Sequence, residues 1–166
     1  MESVKFKGIP CHTAGKLPQA GLQAPPFLLV DSNLNELTCS ELSSKKIILN
    51  IFPSLDTSVC AMSVRKFNER ATANPDATVL CISMDLPFAM KRFCVAEGIN
   101  NVITASAFRS PEFGNDYGVK LIDGPLRGLL TRAIVILDEN KTVIYSQLCD
   151  EITEEPDYDA ALAAIR

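Results

Sequence analysis

The spacing of apolar residues along the chain predicts alternating strands and helices. Two short runs, 47–52 and 78–83, are apolar at most positions, which is typical of strands buried on both faces of a central sheet. Each run is followed by a segment with helical features, over 57–73 and 86–97. Asn74-Pro75-Asp76 ends the first helix. The sequence therefore predicts two consecutive strand–helix units at the centre of an α/β fold.

Shorter elements flank these two units. They are an N-terminal hairpin with its turn at Gly8–Pro10, strands at 27–30 and 101–104, a helix over 111–117, a hairpin of 133–137 with 142–146, and a closing helix over 158–165. No repeat or long linker interrupts the series, so we expect one domain over residues 1–166. This order of elements predicts a thioredoxin-like fold, an α/β class with a mixed sheet flanked by helices.

Composition narrows the function classes. The 166 residues carry a net charge of −4, from 16 basic and 20 acidic side chains, which argues against a general nucleic-acid binder or an anionic membrane surface as partner. No apolar run reaches the roughly 18 residues that span a bilayer. The N-terminus also lacks the apolar core of a secretory signal. We therefore predict a cytoplasmic protein.

The six cysteines require an explanation in such a chain. The single histidine, His12, and the lack of a C-x-x-C pair argue against a zinc site, and we expect no metal or other cofactor. A secreted disulfide framework is not expected either, because nothing in the sequence exports the chain. A mixture of core thiols and redox-active thiols remains.

Cys60 is the first candidate redox thiol. If Asp56 or Thr57 caps the helix that follows the first buried strand, Cys60 lies in its first turn, where free N–H groups and the helix dipole favour an anion. The thiolate is the nucleophilic form of cysteine. The Thr57 hydroxyl is placed to donate to the sulfur, and Pro53 to cover one side of the site and limit water.

A structural role for Cys60 has its own support. Cys60, Val64, Phe67 and Ala71 recur at helical spacing, so Cys60 also belongs to the apolar stripe of its helix. The D-T-x-x-C turn directly after a buried strand favours chemistry, because α/β proteins place their sites where strands end and helices begin.

Cys94 is the second candidate. The predicted apolar stripe of its helix consists of Leu86, Ala89, Met90, Phe93 and Ala96. Cys94 lies about 100° around the helix from this stripe, beside Lys91. It is therefore either a neutral surface thiol or a thiol that meets a partner when the helix moves. A Cys60–Cys94 bond needs Cα atoms within about 7 Å, so we expect both helix ends to unwind locally when it forms.

The other features of these segments have structural interpretations. Asp85 is the candidate N-cap of the second helix, Pro87 lies in its first turn, and Gly98 ends it. Cys81, in the middle of the second buried strand, is expected to be a core residue. Cys11, Cys39 and Cys149 lie near turns or strand ends, where nothing in the sequence activates them.

Several motifs resemble those of the peroxiredoxins, whose P-x-x-x-T-x-x-C motif is present from Pro53 to Cys60. The match narrows to the bacterial thiol peroxidase branch, an atypical two-cysteine group. The stretches that carry it, besides 51–60, are 80–89, 92–94, 101–104, 123–125 and 151–158, so the resemblance covers nearly the whole chain.

The resemblance implies roles that the residues alone leave open. Cys60 would be the peroxidatic cysteine and Cys94 the resolving one, joined in an intrachain disulfide, with Pro53 and Thr57 shaping the pocket. Arg132 would be the arginine that faces the sulfur, whereas from the residues alone Arg127 is as good a candidate. The resemblance further implies a homodimer that is reduced by thioredoxin and favours alkyl hydroperoxides over hydrogen peroxide.

Two other functions are compatible with the residues. One is a thioredoxin-like exchanger of protein disulfides, against which the lack of C-x-x-C counts. The other is a redox sensor whose oxidation changes a partner interface. Repeated turnover of peroxide with a reductant would separate a peroxidase from both.

Overall fold

A computed structural model describes residues 1–166 and contains nine strands and four helices. The strands are Ser3–Phe6 (β1), Ile9–His12 (β2), Leu28–Asp31 (β3), Glu36–Thr38 (β4), Lys46–Ile51 (β5), Ala77–Ser83 (β6), Ile103–Ser106 (β7), Ala133–Asp138 (β8) and Val143–Leu148 (β9). The helices are Ser58–Ala71 (α1), Pro87–Glu97 (α2), Pro111–Asp116 (α3) and Tyr158–Ala163 (α4), with one 3-10 turn at Cys39–Glu41.

Seven strands form one mixed sheet in the order β4-β3-β7-β6-β5-β8-β9. Strands β5, β6 and β7 are parallel neighbours, because a helix crosses over between each consecutive pair. Strand β8 pairs antiparallel with β5 and continues into the β8–β9 hairpin. The sequence-based prediction of a mixed α/β sheet with flanking helices and an N-terminal hairpin is confirmed.

The core has one apolar layer on each face of the sheet. Alternate residues of β5 enter different layers: Ile47 packs on the side of α3, and Ile48 on the side of α1, α2 and α4. This alternation follows from the period of two in a strand. It explains why β5 is apolar almost throughout. Cys60 belongs to the layer between α1 and the sheet.

Some predicted boundaries are wrong. The N-terminal turn is Lys7–Gly8, not Gly8–Pro10, because Lys7 and Gly8 both take positive φ and close a two-residue turn; Pro10 is part of β2. Strand β7 begins at Ile103, two residues later than expected. Strand β4 was not predicted, because its three residues have no apolar pattern and are defined by pairing with β3.

None of the four helices has the length and apolar character needed to cross a bilayer.

Candidate active site

The position of Cys60 is set by the start of α1. Thr57 is the N-cap, with an extended backbone (φ −95°, ψ 144°), and Cys60 is the third residue of the helix. The prediction that Cys60 lies in the first turn is confirmed. Its surroundings therefore include backbone N–H groups without intrahelical acceptors and the positive end of a 14-residue helix.

Asp85 anchors the loop that leads into α1. Its carboxylate accepts hydrogen bonds from Ser54 Oγ (2.8 Å), from the Leu55 N–H (2.8 Å) and from Ser83 Oγ (2.6 Å). The prediction that Asp85 caps α2 is wrong: the N-cap is Leu86, and the first helical residue, Pro87, has no N–H to be capped. Asp85 instead connects the ends of β5 and β6.

Arg132, immediately before β8, contacts the Cys60 sulfur. Its Nη2 is 3.2 Å from Cys60 Sγ, and its Nε donates to the Ile152 carbonyl oxygen at 2.9 Å. Arg132 is only 1% exposed and Cys60 is fully buried. Arg127, the alternative candidate from the sequence, is exposed and its side chain makes no hydrogen bond to the protein.

The buried guanidinium makes no salt bridge with a carboxylate of the protein. A buried charge with no carboxylate in contact is costly, so the arrangement favours an anion beside Arg132. The thiolate of Cys60 is the group in contact that can supply this negative charge. Arg132 Nη1 is also buried and makes no hydrogen bond to the protein, which leaves donor capacity for another acceptor.

A cavity of about 500 Å³ opens above this pair. Ten residues line it: Phe6, Lys7, Pro53, Thr57, Ser58, Val59, Leu126, Arg132, Ile152 and Thr153. Cys60 does not line the cavity, but it contacts Arg132, which does. The structure thus brings together four of the five residues predicted for the site: Cys60, Arg132, Pro53 and Thr57.

The expected contact between Thr57 and the sulfur is not present. The Thr57 hydroxyl donates to the Ser54 carbonyl oxygen at 3.1 Å, the same oxygen that accepts from the Thr57 N–H. The tight turn from Ser54 to Thr57 places this acceptor closer than the sulfur. Thr57 nevertheless lines the cavity, and Pro53 is buried beside it, as expected of a residue that limits water at the site.

Met90 and Phe93 of the predicted stripe face the core, but Cys94 is half-buried beside them, so its predicted place next to the solvated face is wrong. Cys94 and Phe93 are partly buried against the layer that contains Cys60, whereas Leu86 is 50% exposed. The prediction gave Leu86 a place in the stripe, although it precedes the helix, and counted alanines that contribute little apolar area. The Cys94 thiol donates weakly to Thr104 Oγ1 at 4.0 Å and makes no hydrogen bond with Cys60.

Cys94 also belongs to the last turn of α2. Its carbonyl oxygen accepts from Gly98 N–H and from Ile99 N–H at 2.9 Å, and Gly98 has φ +66°. This is a Schellman-type end, which confirms the predicted stop at Gly98. Unwinding of the last turn of α2 would break these closing bonds.

Burial raises the pKa of the other five cysteines. The pKa of Cys81 rises to about 12 and that of Cys149 to about 11, in both cases mainly through desolvation of the thiolate. The pKa values of Cys11 and Cys39 are raised for the same reason. Burial also raises the pKa of Cys94, against a smaller lowering by its hydrogen bond with Thr104. In this conformation burial therefore favours the protonated form of all five thiols.

A cysteine in the first turn of a helix, contacted by a buried arginine at the base of a cavity, defines the site of a thiol-dependent redox enzyme. The Redoxin family model matches residues 19–162. A thiol peroxidase of Corynebacterium glutamicum is 54% identical over 165 residues, and one of Mycobacterium tuberculosis is 52% identical over 165 residues; each match covers 99% of both chains.

Solved structures agree with these sequence matches. A peroxiredoxin-like protein from Aquifex aeolicus superposes with a TM-score of 0.93 at 39% identity, covering 99% of this chain and 96% of the other. A thiol peroxidase from Chromobacterium violaceum has the same fold, with a TM-score of 0.90 at 23% identity, covering 97% and 93% of the two chains. The chain belongs to the thiol peroxidases of the Redoxin family and is a thiol-dependent peroxidase.

The role of Asp85 gives a first testable prediction. In Asp85→Asn the amide keeps the shape of the carboxylate, but all three donors lose their charged partner and at least one is left without an acceptor. We expect the free energy of unfolding to fall by about 1–3 kcal/mol. Peroxidase activity should fall as well, because Pro53 and Thr57 are held by the same loop. Chemical denaturation and steady-state rates measure the two effects.

Asp56→Asn is the matched control for this variant. Asp56 lies in the same loop, is exposed, and its carboxylate makes no hydrogen bond to the protein. The variant Asp56→Asn should leave the free energy of unfolding and the peroxidase activity unchanged. Equal effects of the two substitutions would show that the net charge of the loop, and not the anchoring by Asp85, is responsible.

Proposed function

We propose that Cys60 is the peroxidatic cysteine and that its thiolate attacks the terminal oxygen of a hydroperoxide. The O–O bond breaks, the peroxide is reduced by two electrons and leaves as an alcohol or water after taking up a proton. The Cys60 sulfur is oxidised to a sulfenic acid. The observation that carries this proposal is the 3.2 Å contact between Arg132 Nη2 and Cys60 Sγ at the base of the cavity.

Arg132 would then act both before the attack, on the thiolate, and during it, on the peroxide. Nη2 stabilises the thiolate before attack, and the buried Nη1, which has no acceptor in the protein, is available to a peroxide oxygen as negative charge develops on it. The Ile152 carbonyl holds Nε and thereby fixes the guanidinium plane. Because Cys60 has no exposed surface, the peroxide reaches the sulfur only when the residues at the base of the cavity shift slightly.

Cys94 is proposed as the resolving cysteine. Its thiol condenses with the Cys60 sulfenic acid, which forms the disulfide and releases water. The two residues occupy the same apolar layer but have different polar partners, and both lie within helices. The proposed route is local unwinding of the first turn of α1 and the last turn of α2.

The lining of the cavity supports a preference for alkyl hydroperoxides over hydrogen peroxide. Phe6, Val59, Leu126 and Ile152 provide apolar surface next to Arg132, which a small, strongly hydrated peroxide cannot use. We further propose thioredoxin as the reductant, a homodimeric assembly and a cytoplasmic location. The reductant and the assembly rest on the family resemblance, and the location rests on the sequence-based prediction; the assembly is testable by light scattering of the purified protein.

The variant Cys94→Ser tests the proposed resolving step. Cys60 should still be oxidised rapidly by the first equivalent of hydroperoxide, because the nucleophile and Arg132 are intact. Turnover with thioredoxin should fall by about 10²-fold or more, since the intrachain disulfide that the reductant attacks cannot form. Stopped-flow oxidation, followed by a thioredoxin-coupled assay, separates the two steps, and mass spectrometry maps the disulfide in the wild type.

Cys81→Ser is the matched control for this experiment, because Cys81 lies in the same layer but is fully buried within β6. A wild-type disulfide that joins Cys60 to a cysteine other than Cys94, or full turnover by Cys94→Ser, would contradict the proposal. Oxidation of the wild type without recycling by any dithiol would instead favour a sensor.

A further inference from the structure

The tip of the N-terminal hairpin is bound to a single carboxylate. Lys7 and Gly8, the two turn residues, have φ values of +52° and +79°. A lysine in this region is unusual, and here the conformation directs two successive N–H groups to one side. The Lys7 N–H donates to Glu151 Oε1 at 3.1 Å and the Gly8 N–H to Oε2 at 2.9 Å.

Glu151 is itself held on its other side by Thr153. Oε1 accepts from the Thr153 N–H at 3.0 Å and from Thr153 Oγ1 at 2.8 Å, so the carboxylate receives four hydrogen bonds. These bonds, with the backbone donors of Thr153 and Gly8 foremost, lower the pKa of Glu151 to about 2. The stabilisation they provide is complete above the ordinary carboxyl pKa of about 4.3 and is lost only as the pH falls towards 2. The carboxylate is ionised at any pH at which a thiol peroxidase is assayed.

The hairpin tip, defined here as Phe6, Lys7 and Gly8, forms part of the cavity wall. Phe6 and Lys7 line the cavity together with Ile152 and Thr153, the two residues that follow Glu151. The Lys7 ammonium lies 5.5 Å from the centroid of the Phe6 ring, a cation–π arrangement that keeps the two side chains together. Movement of the tip would therefore open the apolar wall opposite the loop that carries Pro53.

The base of the hairpin is held by other contacts. The Lys5 N–H donates to the Asp150 carbonyl oxygen at 2.7 Å, and the Ile152 N–H donates to the Lys5 carbonyl oxygen at 2.8 Å. Val4 of β1 and Cys11 of β2 pair with each other and are buried in a small apolar cluster with Leu121 and Ile152. Loss of the Glu151 carboxylate should consequently release the tip without unfolding the hairpin or the sheet.

We propose that Glu151 is a positioning residue that fixes the hairpin tip as a wall of the peroxide cavity and so confers the preference for bulky hydroperoxides. This inference rests on the proposed function, since it concerns the cavity at Cys60. Hydrogen peroxide has no apolar group that could pack on Phe6 while it reacts at the sulfur. An aromatic or branched hydroperoxide contacts the wall and depends on its position.

The test compares cumene hydroperoxide with hydrogen peroxide in wild type and Glu151→Ala. We expect KM for cumene hydroperoxide to rise about tenfold, the usual effect of losing a small apolar contact, with kcat little changed. The value of kcat/KM for hydrogen peroxide should change less than about threefold. Glu154→Gln is the control for charge: Glu154 is exposed, its side chain makes no hydrogen bond, and both peroxides should react as with the wild type.

A second pair of variants keeps the proposal testable if Glu151→Ala is unstable. Phe6→Ala removes the wall directly and should reproduce the shift in peroxide preference, and the double variant should be no worse than the more affected single variant. Equal losses for both peroxides would overturn the proposal, because they would show that Glu151 acts through Arg132 or through the fold. An unchanged preference in Glu151→Ala would also overturn it. Failure of wild type to turn over either peroxide would refute the proposed function instead.

Discussion

Replacing Cys60 with serine is expected to lower kcat/KM for any hydroperoxide by at least about 10³-fold, the scale seen when an enzyme loses its nucleophile. A serine hydroxyl is not ionised beside Arg132 at neutral pH and cannot be oxidised to a sulfenic acid. The fold should persist, because serine is close to cysteine in size. A steady-state assay with a dithiol reductant measures the loss.

Cys39→Ser provides the comparison for this prediction. Cys39 is also buried, but it packs in the layer on the opposite face of the sheet and has a pKa raised by burial. This variant should keep the wild-type rate as long as it remains folded. Should Cys60→Ser retain peroxidase activity while Cys39→Ser loses it, the nucleophile has been assigned to the wrong cysteine.

Replacing Arg132 with alanine is expected to have the second largest effect, a fall of about 10²–10³-fold in the rate of Cys60 oxidation. For a thiol of ordinary pKa, a change in ionisation alone does not explain a loss of this size. A cysteine with an ordinary pKa of about 8.5 is about 3% ionised at pH 7, so complete ionisation gains at most about 30-fold. The rest of the rate enhancement has to come from groups that donate hydrogen bonds to the peroxide oxygens. Nη1 of Arg132 is proposed for this role because it has no acceptor in the protein.

Stopped-flow kinetics measure the rate of Cys60 oxidation, and ultraviolet absorbance measures the thiolate fraction. Together they separate the effect of Arg132 on ionisation from its effect on the reaction with the peroxide. After correction for the measured thiolate fraction, Arg132→Ala should still react at least about tenfold more slowly than the wild type. Arg127→Ala, which changes the same residue type at an exposed position, should react normally. If the rate of Arg132→Ala falls only in proportion to its thiolate fraction, Arg132 acts only by favouring ionisation of the sulfur.

The parts of the fold that were predictable from sequence are those with strong local signals. Strand β5 is apolar because it is buried on both faces, and α1 begins after a turn with capping residues, so Cys60 was correctly placed in a first turn. The side of α2 that packs against the sheet was not predictable in the same way. Its apolar side chains are distributed around most of the helix, and packing against the sheet selects the face that carries Cys94.

The remaining parts of the site depend on contacts between residues far apart in the chain. Nothing local distinguishes Arg132 from Arg127; burial beside Cys60 does, and before the structure only the family resemblance chose between them. Ile152 acts through its backbone carbonyl, for which residue type gives no signal. Asp85 resembled a helix cap because of its position, yet two of the three donors to its carboxylate, Ser54 and Leu55, belong to the loop before α1.

The most direct test of the account is to identify the sulfur that receives the peroxide oxygen. In the Cys94→Ser variant the sulfenic acid cannot be resolved, so a dimedone-type reagent added with one equivalent of hydroperoxide should trap it. We predict that peptide mass spectrometry locates the adduct on Cys60 alone. An adduct on any of the other cysteines, with Cys60 left as a thiol, would contradict the central claim that the arginine-bound thiol at the start of α1 reduces the peroxide.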